Sequence, residues 1–208
     1  MTWLKKLWLN VLRAVFTFMG DVQWHGWTSP MWITINAKGY ALKGEHYREI
    51  RKVIRPGDIL IRRFERYVDK WYIPGWWNHG GVYVGGRKEQ VVHAIAEGVV
   101  IEDFLNFMRT DHLIILRPPE DMLKEGLKRA REIVGRKYDF FLDFEDHERF
   151  SCTELPDYCY PGIITPKRRF GRISVVADDI VNSGLEVVWD SRVAKDSMTI
   201  KLDKAKSG

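Results

Sequence analysis

Residues 76–95 read WWNHGGVYVGGRKEQVVHAI. Two short apolar runs lie on either side of Gly85-Gly86, and this pattern predicts an antiparallel hairpin. A hairpin centred on these glycines places His79 opposite His93, so we expect the two imidazoles to be cross-strand neighbours. The hairpin therefore brings two titratable side chains to one place in the sheet.

The segments around the hairpin predict further strands and helices. Strands are expected at 59–61, 113–116 and 185–189, and helices at 47–54, 102–108, 118–134, 152–158 and 177–181. These elements are interspersed without a regular βαβ alternation. The sequence therefore predicts an α+β domain in which a mostly antiparallel sheet packs against helices.

Composition limits the classes of partner. The 208 residues carry a formal net charge of +5, and the basic residues are not concentrated in one stretch. This pattern argues against a nucleic-acid partner and favours anionic surfaces in general. Cys152 and Cys159 lie seven residues apart in a predicted helix, about 10 Å along its axis, which is too far for a disulfide. We therefore expect two free thiols and a reducing compartment.

The N-terminal segment has apolar residues at helical spacing, with Lys5, Lys6 and Arg13 among its few charges. It has no 18-residue apolar run and no clear signal-peptide cleavage site, so we expect a cytoplasmic protein or one peripheral to a membrane. Residues 1–20 are interpreted either as a helix lying on a membrane or as a helix docked on its own domain or a second copy. We divide the chain into an extension, 1–44, and a catalytic domain, 45–208.

Cys152 is the candidate nucleophile. It lies in Ser151-Cys152-Thr153-Glu154-Leu155, where a helix is predicted to begin, and the positive end of a helix favours the thiolate. The backbone N–H of Cys152 is also a candidate oxyanion donor, because the first turn of a helix leaves its donors unpaired. The alternative is a buried cysteine with no chemical role.

His79 is the candidate general base. Gly80-Gly81 follow it and permit the close backbone approach that an active site often needs. His93 is the candidate residue that orients His79, as in a catalytic triad. The alternative is a structural role for one or both histidines.

Metal and cofactor sites are weakly indicated. His79, His93 and His112 are possible zinc ligands, but no acidic ligand is closely spaced with them. The acidic run at 143–148 is interpreted as a solvated turn. We predict no metal and no cofactor.

The order strand–His–strand–(His or acid)–helix–Cys resembles the circularly permuted, papain-like NlpC superfamily, and within it the YiiX-like cysteine hydrolases. The resembling segments are 56–60, 73–85, 91–94, 98–99, 111–118, 138–140 and 150–155. The same architecture is similar to lecithin:retinol acyltransferase and its phospholipid-acting relatives. The resemblance implies a permuted papain-like fold.

The resemblance also implies roles: Cys152 as nucleophile, His79 as base and His93 as the third, polar member. In many YiiX-like members the third position is Glu, and in the acyltransferase branch it is His. Glu97 is therefore a second candidate to orient His79.

The implied activity is a cysteine hydrolase that forms an acyl-thioester on Cys152, with cell-wall-type peptides favoured as substrates. The alternatives are a lipid-directed acyltransferase or phospholipase-like esterase, and a non-catalytic binding module or membrane-associated interaction protein. The expected partner is thus a peptide or lipid acyl substrate.

Overall fold

The computed structural model describes residues 3, 7, 8, 11, 22–24, 33–35, 39–65, 74–139, 144, 147–169 and 171–193. The chain divides into two compact units, Met1–Tyr40 and Ala41–Gly208. In the first unit the described positions 3, 7, 8 and 11 are helical, and β1 (Val22–Trp24) pairs antiparallel with β2 (Ile33–Ile35). Among the residues described, no helix has the length and apolar character needed to cross a membrane.

A six-stranded sheet forms the centre of the second unit. Its strands are β3 (Ile59–Arg63), β4 (His79–Gly85), β5 (Gln90–Ile95), β6 (Gly98–Asp103), β7 (His112–Arg117) and β12 (Glu186–Asp190). They lie in the order β12-β7-β3-β4-β5-β6, and each neighbouring pair is antiparallel. The predicted hairpin is its β4–β5 pair.

Helices cover both faces of this sheet. They are α1 (Gly44–Ile50), α2 (Phe104–Phe107), α3 (Glu120–Glu132), α4 (Glu154–Cys159) and α5 (Ala177–Val181). One apolar cluster joins the sheet to α3, α4 and α5, and a second joins the opposite face to α1 and α2. Side chains alternate between the faces of a strand, so each central strand supplies residues to both clusters. This is the predicted α+β architecture.

Two small sheets complete the described part of the unit. β8 (Lys137–Tyr138) pairs in parallel with β9 (Arg149–Phe150), and β10 (Lys167–Arg169) pairs antiparallel with β11 (Arg172–Ser174). The first of these sheets brings the segment after α3 next to the segment that leads into α4. It therefore shapes the surroundings of Cys152.

Two predictions about this sheet need correction. The hairpin pairs His93 with Gly81 rather than with His79, because the turn occupies residues 86–89 and its centre lies further along the chain than Gly85-Gly86. The helix predicted at 102–108 is replaced by the end of β6 followed by the single turn α2. The Asp103 carboxylate caps that turn and accepts two backbone N–H groups, at 2.9 and 3.2 Å.

A buried ion pair fixes the ends of β3 and β7. Asp58 is fully buried, and its carboxylate accepts hydrogen bonds from Arg117 Nε at 2.9 Å and Nη2 at 2.8 Å. The backbone N–H of Arg55 donates to the same carboxylate at 2.7 Å. A bidentate arginine pair of this kind restricts both partners in distance and orientation. It anchors the turn from which β3 starts.

Candidate active site

His79 and His93 contact each other on one face of the sheet. His79 Nε2 lies 2.9 Å from His93 Nδ1, and the ring planes are nearly perpendicular at 86°. His93 pairs with Gly81, and His79 lies two residues before that glycine on the same face. His79 and His93 are therefore diagonal neighbours across the β4–β5 pair, and their imidazoles are in contact as expected, although the two residues are not directly paired. It leaves Nδ1 as the nitrogen of His79 outside this contact.

Cys152 lies in a tight turn before α4. The Ser151 hydroxyl accepts the backbone N–H of Glu154 at 3.3 Å, and the Glu154 carboxylate accepts the backbone N–H of Ser151. This reciprocal pair has the geometry of a capping box, and the Ser-x-x-Glu spacing is its sequence signal. The helix starts at Glu154 rather than at Cys152, so the thiol belongs to the capping turn. The turn holds the backbone on both sides of the sulfur.

Gly80 allows this turn to approach β4 closely. A Cβ atom at Gly80 would lie 3.0 Å from the carbonyl oxygen of Cys152 and 3.0 Å from Ile61 Cδ1. The backbone N–H groups of Gly80 and of Cys152 itself act as donors towards the Cys152 sulfur and lower the pKa of its thiol, in opposition to burial. The expected close approach at this glycine is confirmed. The thiol is thus held beside the residue that follows His79.

Tyr138 is a further neighbour of the thiol. The parallel β8–β9 pair aligns Tyr138 with Phe150, two residues before Cys152. Burial raises the pKa of Tyr138, and its interactions with Cys152, a side-chain hydrogen bond among them, act in the same direction. Tyr138 therefore remains a neutral donor at physiological pH. Residues 138–140 belong to the segments that resemble the family, but the sequence indicated no contact between Tyr138 and Cys152.

Burial sets the protonation states of the thiol and the base. It raises the pKa of the Cys152 thiol, even though the two backbone donors and Arg62 act in the opposite direction. Burial also lowers the pKa of His79 well below its usual range, with Arg62 and His93 adding to the effect. The expectation of a lowered thiol pKa is therefore wrong for the resting protein. The pair is a neutral thiol and a neutral imidazole.

The carboxylate of Glu154, the first residue of α4, belongs to the turn that carries Cys152. Burial raises the pKa of Glu154 to about 7, and the neighbouring Asp139 adds to this shift while the hydrogen bonds from Ser151 oppose it. Asp139 is fully buried, and its backbone N–H donates to Phe150 O at 3.3 Å. Ionised Glu154 in turn raises the pKa of Cys152. The charge state of Glu154 therefore influences the sulfur.

The other proposed metal ligands do not assemble into a site among the described residues. His112 Nε2 lies 2.7 Å from the Glu65 carboxylate, and its ring lies 4.8 Å from that of Trp76. Across the part of the chain that the structure describes, no group of three or more His, Cys, Asp or Glu side chains could hold a metal ion. Of the acidic run at 143–148, only 144, 147 and 148 lie within the described residues, and Glu148 pairs with Arg136.

The two acidic candidates near His93 differ in position. Glu97 is exposed in the turn between β5 and β6. Glu102 on β6 instead places Oε2 3.2 Å from His93 Nε2, although the two groups are poorly aligned for a hydrogen bond. Sequence reasoning missed Glu102 because it assigned this segment to a helix. The alternation of β6 opposite His93 is the signal that identifies it.

Comparison with known proteins identifies a family whose model matches most of this chain. The model of the family described as "Permuted papain-like amidase enzyme, YaeF/YiiX, C92 family" matches residues 53–202. The crystal structure of the metalloprotein YiiX from Escherichia coli O157:H7 matches with a TM-score of 0.57 and 14% identity, covering 67% of this chain and 98% of that chain. At this identity the likeness shows the fold alone. No curated protein matches the chain.

Proposed function

We propose a specific chemistry for this chain, which belongs to the permuted papain-like amidase family YaeF/YiiX. Membership of this family identifies the protein as a cysteine hydrolase of the amidase type. We propose further that Cys152 forms an acyl-thioester with an amide substrate and that His79 takes the proton of the Cys152 thiol. The observation that carries it is the set of hydrogen-bond donors near the Cys152 sulfur, from Gly80, Cys152 and Tyr138, together with the His79–His93 contact on the strand that Cys152 approaches at Gly80.

The neutral state of both partners determines how the reaction starts. His79 takes the thiol proton on Nδ1 as the sulfur attacks the substrate carbonyl, because a neutral imidazole is a competent base whereas a charged one is not. The imidazolium that forms keeps its Nε2–H bond to His93. Attack therefore needs no thiolate in the resting protein.

The later steps use the same groups in reverse. The carbonyl carbon gains a bond to sulfur and its oxygen becomes an oxyanion, which N–H and O–H donors near the sulfur stabilise. His79 then protonates the leaving amine, the carbon–nitrogen bond breaks and the thioester remains. A water molecule, deprotonated by His79, then attacks the thioester carbon. The carbon–sulfur bond breaks, His79 returns the proton to the Cys152 sulfur, and the acid is released.

Trapping the acyl-enzyme tests this proposal. Cell-wall-type peptides, acyl-phospholipids and simple esters are incubated with the protein, and the modified residue is identified by mass spectrometry. We expect an acyl group on Cys152, with peptides the most efficient donors. Faster acylation by phospholipids would favour the lipid-directed alternative. Failure of every amide and ester probe to acylate Cys152 would identify a non-catalytic binding module instead.

The N-terminal segment supports a second, separate function, which is binding to an anionic membrane surface. The described helical residues Trp3, Leu7, Trp8 and Val11 are apolar and exposed, the two tryptophans by 73% and 63%. Residues 1–20 contain three basic residues and no acidic one. An apolar helical face accompanied by basic residues suits a bilayer interface.

Vesicle flotation tests the membrane function independently of catalysis. The intact chain is compared with a Trp3→Ser/Trp8→Ser variant on vesicles with and without anionic lipid. We expect the intact chain to float with anionic vesicles and the variant to remain in solution. Equal flotation of both proteins, or none by either, contradicts a membrane role. Either result leaves the acyl-enzyme experiment unaffected.

A further inference from the structure

Four polar side chains form a row on one face of the sheet, one from each of four adjacent strands. Arg62 on β3 pairs directly with His79 on β4, and His93 on β5 contacts His79. Glu102 on β6 pairs with Val91, which lies two residues before His93 on the same face. Cys152 approaches β4 at Gly80, next to His79. The row therefore extends from the proposed base to a carboxylate two strands away.

The Glu102 carboxylate faces hydrogen-bond donors. Asn106 Nδ2 donates to Oε1, and Arg62 Nη1 lies 3.8 Å from Oε2. His93 Nε2 lies 3.2 Å from that same Oε2. An ionised carboxylate has no proton to donate, so the nitrogen facing it is favoured as N–H. The site therefore selects the tautomer of His93 that carries its proton on Nε2.

The tautomer of His93 determines that of His79. A neutral imidazole has one N–H and one acceptor nitrogen, so a proton on Nε2 of His93 leaves its Nδ1 as an acceptor. That acceptor lies 2.9 Å from His79 Nε2, which must then be the protonated nitrogen of His79. His79 Nδ1 is left with its lone pair available. Only this tautomer of His79 can take a proton on Nδ1.

Arg62 and α2 hold the carboxylate in place. Arg62 Nη1 donates to the backbone carbonyl of Phe107 at 2.9 Å, and its guanidinium lies 4.1 Å from the Phe107 ring centre. The same ring packs edge-on against His93, with centres 5.3 Å apart. Arg62, Phe107 and Glu102 thus form a rigid support behind the histidines.

We propose that Glu102 is a positioning residue that fixes the tautomers of His93 and His79, and that Arg62 helps to hold the Glu102 carboxylate beside His93. This inference rests on the proposed roles of Cys152 and His79. It places a carboxylate one residue further from the base than in a Cys-His-acid triad, with His93 between them. In the resting protein the His93–Glu102 contact is misaligned, and protonation of His79 strengthens it by polarising the His93 ring.

Histidine tautomers are measurable by nitrogen-15 NMR of the intact chain, without a substrate. In the wild type we expect both His79 and His93 to carry their proton on Nε2. Glu102→Leu removes the acceptor and should mix the tautomers of His93. Glu102→Gln loses the same charge but keeps one acceptor oxygen, so it should retain more of the wild-type tautomer. Glu97→Gln, in the exposed β5–β6 turn, is the control and should change nothing.

The second readout is the rate of Cys152 acylation by an amide probe as a function of pH. We expect about a tenfold loss for Glu102→Leu, a smaller loss for Glu102→Gln and none for Glu97→Gln. A slower Glu102→Leu variant with unchanged tautomers would mean a merely structural role and overturn the inference. So would a wild-type His93 protonated on Nδ1. A wild-type protein with the expected tautomers but no acylation of Cys152 would instead overturn the proposed function.

Discussion

Cys152 and Cys159 are both free, buried thiols, and they lie at the two ends of one short segment. Burial raises the pKa of each. The difference lies in their neighbours. Cys159 belongs to the apolar cluster between the sheet and its helices, whereas the Cys152 sulfur receives hydrogen bonds from Gly80, Cys152 and Tyr138. Burial alone therefore does not separate a reactive cysteine from a structural one; the surrounding donors and the nearby base do.

Removing each sulfur in turn tests this comparison most strongly. Cys152→Ala should lower turnover of an amide substrate by about a thousandfold or more, because the covalent intermediate cannot form. Cys159→Ala should keep turnover within about threefold, since its side chain contacts no reacting group. Initial rates with one substrate, measured on folded protein, give both values. Comparable losses in the two variants would show that the cysteines are not functionally distinct.

His79 should act as the base for Cys152 and not for Cys159. His79→Gln is expected to lower acylation of Cys152 by about a hundredfold, as for loss of a general base. His112→Gln is the matched control, because His112 is also on a strand of the sheet but contacts Glu65. Its acylation rate should equal that of the wild type. Retained activity in the His79 variant would reject His79 as the base.

A hydroxyl in place of each sulfur compares the two environments by stability. Cys159→Ser should reduce the free energy of unfolding by about 1–3 kcal/mol, because it buries a hydroxyl among apolar side chains. Cys152→Ser should cost less than about 1 kcal/mol, since donors already face this position. Urea unfolding followed by circular dichroism measures both. A larger loss at Cys152 would contradict the assignment of the polar environment.

The smallest expected effect concerns pH. Glu154 ionises as the pH rises through its pKa of about 7, and its negative charge then raises the pKa of Cys152. Glu154→Gln removes that charge, so alkylation of Cys152 by iodoacetamide should be a few times faster than in the wild type above pH 8. Below pH 6, where Glu154 is protonated, the two rates should agree. Alkylation of Cys159 is the internal reference and should not change.

Local sequence signals predicted the hairpin and much of the site. The glycine turn between two apolar runs and the histidine on each strand are separated by few residues, so pattern and spacing suffice to bring them together. The diagonal contact was not predictable because it depends on the turn occupying residues 86–89, which moves the strand register away from one centred on Gly85-Gly86. The raised pKa of Cys152 was not predictable either, because its burial comes from packing against β4 and β8, far away in the chain. Tyr138 was missed because its approach to Cys152 depends on the parallel β8–β9 pairing, and Glu102 was missed because its segment was assigned to a helix instead of β6.

The position of β12 affects how the protein is made. β12 is the last described strand in the chain, yet it covers the edge of β7. During synthesis, the segments that carry His79, His93 and Cys152 leave the ribosome first, while β7 still has open N–H and C=O groups along one side. Open strand edges pair readily with other chains. A ribosome-bound chain that lacks residues 186–190 therefore already contains His79, His93 and Cys152 but is still prone to aggregate through the open edge of β7. A chaperone that covers this edge would act during that interval.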